Sequence, residues 1–215
     1  AMNKHFTKII AMENNILTPN WLSINLNNAD ESNVLSYKSN QFTYPVVVKP
    51  NHQGSTLGLS IVKNRQGIND AVKLASIYSD SVLIEKFIKG RELTVGVLDN
   101  KALEIVEIIP KSGFYDYESK YTKGASKYIC PAELDENISE KIKEDALKIH
   151  NAIGCRHYSR VDFMLCEQTG RPYMLEINTL PGMSSTSLLP KSAAACNINF
   201  KNLVKKIIKL ALEDS

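Results

Sequence analysis

Arg160-Val161-Asp162-Phe163-Met164-Leu165-Cys166, then Glu167-Gln168-Thr169-Gly170-Arg171, then Pro172-Tyr173-Met174-Leu175-Glu176-Ile177-Asn178, is the stretch that decides how this chain is built. Two strand-like runs, about 156–166 and 172–178, flank a polar connection with a glycine in it. Side chains two apart on a strand share a face, so Arg160 goes with Asp162 and Glu176 with Asn178. If 167–171 closes a simple antiparallel hairpin centred on Thr169, position 162 stands opposite 176 and position 160 opposite 178. Directly opposed Cβ atoms lie about 4.5–5.5 Å apart. One face of the hairpin is therefore predicted to gather Arg160, Asp162, Glu176 and Asn178. The other face, Val161, Phe163, Leu165, Leu175 and Ile177, is apolar and suited to burial. Two carboxylates and an amide carbonyl are hard oxygen ligands, fit for Mg²⁺. The same four residues also read as an exposed cross-strand ion-pair ladder of little energetic consequence.

Outward from the hairpin the chain is mixed α and β. A helix is predicted over 3–15, a proline-bracketed strand over Tyr44–Pro50, and a helix over 67–79 carrying Ile68, Ala71, Val72 and Ala75. Strands begin at Val82, Leu93 and Ala102, with Asp99-Asn100 as the turn between the last two. Ile138, Ile142, Ile149 and Ile153 stripe a further helix that Gly154 can end. The last helix carries Phe200, Leu203, Val204, Ile207 and Ile208, with Asn199 as its N-cap. The tyrosine-rich segment 110–126 is too irregular for a strand and reads as a functional loop or lid. A soft boundary near Leu98–Ile109 divides the chain into 1–100 and 101–215.

With 215 residues, 43% hydrophobic, 23% charged and a net charge of +3, the chain has material for one large domain or two small ones and is not disordered. No like-charge run marks a nucleic-acid surface, and no stretch approaches the roughly 18 apolar residues of a membrane span. Neither nucleic acid nor membrane is expected as a partner. Cys130, Cys155, Cys166 and Cys196 lie far apart without CxxC pairing, as expected of free thiols in a cytoplasmic protein.

Two loops carry anion-binding character. Gln53-Gly54-Ser55-Thr56-Leu57-Gly58 fits neither a P-loop nor a Rossmann fingerprint. Thr179-Leu180-Pro181-Gly182-Met183-Ser184-Ser185-Thr186-Ser187 leads from a strand into a helix, either presenting N–H groups to an anion or serving as a connection with a serine cap.

Taken in order, these segments resemble the D-alanine–D-alanine ligases of the ATP-grasp superfamily. The resemblance rests on Tyr44–Pro50, Gly54–Gly58, Val82–Ile88, Gly90–Val95, Gly113–Tyr121, Arg160–Asp162, Leu175–Thr179 and Pro181–Met183. It implies an α+β fold in which two subdomains with mostly antiparallel sheets grip ATP. Residues 1–100 would form the central subdomain and 101–215 the C-terminal one.

The family pattern puts Lys4 and Lys49 on the ATP phosphates and folds the loop 54–58 over them. Glu85, with the backbone of Lys86 to Ile88, would read adenine, and Glu92 the ribose. Asp162, Glu176 and Asn178 would hold two Mg²⁺ ions, Glu176 bridging both, with Mn²⁺ as a substitute. Arg160 and the Gly182 N–H would stabilise developing charge. Ser187 would hold the second D-alanine, with Lys120 nearby in the lid 113–121. Tyr121 stands where the family favours D-alanine over D-lactate. The implied reaction makes D-alanyl phosphate from ATP and one D-alanine, then D-alanyl-D-alanine from a second. The product would serve peptidoglycan synthesis.

The family also carries an N-terminal domain ahead of the Met2-Asn3-Lys4 segment, with an acidic side chain networked to Ser55 and Tyr121. The present chain is therefore expected to bind Mg-ATP but to ligate D-alanine poorly or not at all alone, whether expressed fragment, truncated reading frame or proteolysed product. A homodimer is expected of the full-length protein. Another carboxylate–amine ligase of the same superfamily, and a non-catalytic Mg-ATP module, are the alternatives.

Overall fold

The computed structural model describes residues 2–28, 43–54, 56–110 and 126–213. Ser55 and the loop 113–121 with Lys120 and Tyr121 lie outside the described residues.

Two antiparallel sheets carry the structure, giving the α+β class expected. The first, in the order β1-β4-β2-β3, comprises β1 (Trp21–Asn25), β2 (Val46–Pro50), β3 (Ser60–Val62) and β4 (Ser81–Lys86). The second, in the order β7-β6-β5-β8-β9, comprises β5 (Gly90–Leu98), β6 (Lys101–Pro110), β7 (Ser126–Ile129), β8 (Tyr158–Cys166) and β9 (Pro172–Asn178). Asp99 and Asn100 both hold positive φ (50° and 54°), the two-residue turn that joins adjacent antiparallel strands.

That turn also fixes sheet membership. Strands joined by two residues must pair, so β5 lies at the centre of the second sheet beside β6. The chain crosses between sheets over Phe87–Lys89. Sequence periodicity offers no strand at β1 or β7. Both are short edge strands, ordered by their pairing with β4 and β6 rather than by a pattern of their own.

Each sheet buries one face under helices. Helix α2 (Ile68–Ser76) lays Ile68, Ala71, Val72 and Ala75 on Val46, Val48, Val82 and Ile84. Helix α3 (Glu136–Ala152) lays Ile142, Ala146 and Ile149 on Leu93, Val95, Val161, Phe163 and Ile177. Helix α1 (Lys4–Glu13) enters the same core through Ala11, so the N-terminal helix belongs to the second sheet's packing. Helices α4 (Leu188–Ala195) and α5 (Phe200–Glu213) pack Leu189, Ala193 and Leu203 on Leu98 and Leu103. Asn3 caps α1 by accepting from the Phe6 N–H, and Asn199 caps α5 by accepting from the Asn202 N–H. Among the described residues no helix is long and apolar enough to cross a membrane.

The helices leave the opposite faces of the two sheets to border a cleft, and a close backbone contact sets β5 at its edge. A Cβ on Gly90 would stand 1.9 Å from the Leu165 carbonyl oxygen of β8. Gly90→Ala is expected to lower stability by about 1–3 kcal/mol, since the backbone must move. Urea denaturation at an unchanged midpoint would show that the two strands do not approach this closely.

Candidate active site

The hairpin expected from sequence forms: Arg160 pairs with Asn178, Val161 with Ile177 and Asp162 with Glu176. Beyond Asp162 the register slips by one, so that Phe163 faces Met174 and Leu165 faces Pro172. The slip is a bulge at Leu175, which a symmetric hairpin does not contain. It corrects one expectation. Leu175 leaves the apolar face and lines the cleft next to Glu176, while Met174 is fully buried against the core.

Asp162 is the anchor of the polar face. Arg160 donates to it through two nitrogens, each at 2.9 Å. Thr94 Oγ1, opposite it on β5, donates at 2.6 Å, and Asn178 Nδ2 donates at 3.0 Å. These donors fill the four acceptor positions of the carboxylate. They also turn the Asn178 carbonyl oxygen to the opposite side of its amide. The exposed-ladder alternative fails, because Asp162 and Thr94 are 7% and 1% exposed.

Across the cleft a second charged group is buried still deeper. Glu85 on β4 takes Lys49 Nζ at 2.5 Å on Oε1 and Lys8 Nζ at 2.8 Å on Oε2. Burial alone would raise the Glu85 pKa, but Lys49 and Lys8 more than offset it and hold the carboxylate ionised. Lys8 is fully buried in α1, and its pKa is pushed down to about 8 by that burial, against the attraction of Glu85. Lys4, one turn earlier on α1, also has a lowered pKa through burial; it donates to the Gln53 carbonyl and lies 3.7 Å from Glu176. The start of α1 is tied to the end of β2, with the Lys4 N–H donating to the Asn51 carbonyl at 3.2 Å and the His5 N–H to Asn51 Oδ1 at 2.8 Å.

The cleft so framed is lined by the polar and charged Lys4, Lys49, Gln53, Glu85, Asp162 and Glu176 and by the apolar Val47, Phe87, Ile88, Met164 and Leu175. Lys86 and Glu92 lie on its wall, Glu92 paired across the sheet with Met164. The lining thus combines fixed charges with an apolar slot beside Glu85, a combination that suits a flat heterocycle attached to phosphates.

A family model described as "D-ala D-ala ligase C-terminus" matches residues 10–209. The chain belongs to that family. A D-alanine--D-alanine ligase of Methylacidiphilum infernorum is 42% identical over 211 residues, 98% of this chain and 66% of the relative. A D-Ala:D-Ser ligase of Enterococcus faecalis superposes with a TM-score of 0.86 at 31% identity, over 97% of this chain and 61% of that one. A D-alanine--D-alanine ligase of Bacillus anthracis, solved with ATP, superposes with a TM-score of 0.77 at 32% identity, over 99% of this chain and 65% of that one. The chain spans 53 to 66% of the length of the first curated relatives it matches. The ATP-grasp fold of the ligase family is therefore the fold of this chain.

Within that fold the structure brings together Lys4, Lys49, Glu85, Lys86, Ile88, Glu92, Asp162 and Glu176 around one cleft, with Arg160 and Asn178 bonded to Asp162. Gly182 and Ser187 meet in the loop after β9, where a Cβ on Gly182 would lie 3.1 Å from Ser187 Oγ. Ser187 sits at the cap position of α4 without capping it; its hydroxyl turns back to accept from the Ser184 N–H at 3.1 Å. Ser55, Lys120 and Tyr121 lie outside the described residues.

Sequence reasoning passed over Lys8, Thr94 and Met164 and put Leu175 on the buried face. Lys8 follows Lys4 by four on a helix and Thr94 follows Glu92 by two on a strand, so both share a face with an assigned residue. That periodicity could have found them.

The Lys8 pKa gives a signed expectation. Between about 8 and 10.5 the unfolded chain holds a proton at Lys8 that the folded chain has released. Stability contributed through this group therefore rises with pH across that window, and its desolvation cost is fully present below it. In Lys8→Met the slope should flatten between pH 8 and 10 on an overall loss of stability, since Glu85 loses a partner. Urea midpoints against pH for the two proteins check this; parallel curves would contradict it.

Proposed function

We propose that this chain is the nucleotide- and metal-binding part of a cytoplasmic, ATP-dependent ligase that joins two D-alanines through D-alanyl phosphate, for peptidoglycan precursors. The observation that carries the reading is the cleft itself. It gathers Asp162 and Glu176, with Asn178 bonded to Asp162, beside Lys4, Lys49 and Glu85 and an apolar slot. The free thiols of all four cysteines fit a reducing compartment.

The donor set suits Mg²⁺. Asp162, Glu176 and the Asn178 carbonyl would hold two such ions, and Mn²⁺ would substitute. When bound, the metal neutralises charge on the phosphate oxygens. Because protein donors already fill the acceptor positions of Asp162, binding there requires one to leave. Arg160, at the end of a long side chain, is the donor able to turn from Asp162 to the substrate.

The chain's own groups do the remaining work. Lys4 and Lys49, held by Gln53 and Glu85, place fixed positive charge along the phosphates. The apolar slot takes the base, with Glu85 as acceptor and Glu92 near the ribose. Attack of the first D-alanine carboxylate on the γ-phosphorus needs positioning and charge neutralisation rather than a protein nucleophile. Ser187 and the Gly182 N–H would hold the second amino acid and the developing oxyanion, while Tyr121 and Lys120 act from the lid and Ser55 from the glycine loop. The likeness to a D-Ala:D-Ser ligase makes D-serine the competing second substrate.

Calorimetric titration with a non-hydrolysable ATP analogue is expected to show binding that Mg²⁺ strengthens. In Glu176→Gln the Mg²⁺-dependent gain should fall about tenfold or more while affinity without metal changes little. Phosphate release with D-alanine, D-serine and D-lactate in turn reads the second substrate. Absence of binding with and without Mg²⁺ overturns the reading.

A further inference from the structure

Lys8 is fully buried, yet it is neither in the phosphate row nor at the metal set, and burying an ammonium is costly unless it is held on several sides. Its Nζ donates to Thr18 Oγ1 at 2.7 Å and to the Pro19 carbonyl at 3.2 Å, lies 2.8 Å from Glu85 Oε2, and stands 5.4 Å from the centre of the Trp21 ring. Thr18 Oγ1 in turn donates to the Met174 carbonyl at 2.9 Å, and the Met174 N–H donates to the Leu17 carbonyl at 2.7 Å. Glu85 belongs to the first sheet and Met174 to the second. One ammonium therefore joins helix α1 to both sheets immediately behind the apolar slot.

Glu85 Oε2 is met by the Lys8 ammonium at 2.8 Å and by no other donor of the described residues, which leaves one of its two acceptor positions open. A fully buried acceptor with an unfilled position, at the back of a slot lined by Phe87, Ile88 and Leu175, calls for a donor on whatever enters. A 6-amino purine presents such a donor there, whereas a 6-oxo purine presents an acceptor that an anion repels.

We propose that Lys8 is a positioning residue for base selection. It fixes the Glu85 carboxylate, through Thr18 and the β9 backbone, at the place where it accepts from a 6-amino group and rejects a 6-oxo group. The inference rests on the reading of this cleft as an ATP site and assigns to Lys8 a role separate from the phosphate contacts of Lys4 and Lys49.

The test compares the dissociation constants for ATP and for its 6-oxo analogue inosine triphosphate in wild type, Lys8→Met and Thr18→Val, with circular dichroism as the check of fold. Wild type is expected to favour ATP by about tenfold or more. In Lys8→Met the ratio should collapse to within about threefold, through loss of ATP affinity rather than of triphosphate affinity in general. Thr18→Val keeps the ammonium and removes its anchor, so it should lower the ratio by about threefold even if Lys8→Met does not fold. A ratio unchanged from wild type in a folded variant overturns the assignment while leaving the ATP site standing. A wild-type chain that binds neither nucleotide overturns the ATP reading and the inference together.

Discussion

A buried carboxylate is expensive, and the burial of Glu85 constrains much of this architecture. Removing such a charge from water costs several kcal/mol unless opposite charges meet it in good geometry. The partners come from separate elements, Lys49 from β2 and Lys8 from α1, so both must be delivered to the back of β4. Delivering Lys8 also brings Lys4, one turn away on the same helix face, to Glu176 and Gln53. Anchoring Lys8 on Thr18 ties the chain before β1 to β9 of the second sheet. The cationic lining of the cleft thus follows in part from the needs of this one buried group.

The second sheet solves a related problem at Asp162. A carboxylate at 7% exposure is satisfied by a threonine from β5, an arginine from its own strand and an amide from β9. All three lie at neighbouring positions on one face of an antiparallel ladder, where opposed side chains are in direct reach. The apolar face beneath, Val161, Phe163 and Ile177 under α3, stabilises this polar layer by burial. The bulge at Leu175 then gives up one core position to put an apolar side chain beside Glu176, with Met174 filling the core instead.

Much of this was legible in the chain. The pairing of Asp162 with Glu176 and Arg160 with Asn178 follows from strand period and a short connection, both local properties. The cap at Asn199, the turn at Asp99-Asn100 and the helix ends at Asn15 and Gly154 follow from side-chain and backbone preferences that need no partner. Harder to read were β1 and β7, edge strands ordered by their neighbours.

By itself, then, the sequence determined most of the helices and central strands and the ligand types gathered on the hairpin, because side-chain period and turn chemistry act over a few residues. Only the tertiary structure decided that Lys8 stands behind Glu85, that Thr94 completes Asp162, and that Leu175 rather than Met174 faces the cleft. Those outcomes depend on which distant segments share a buried volume. There, the cost of an unpaired charge or an unfilled space is settled by neighbours far along the chain, beyond the reach of any local pattern.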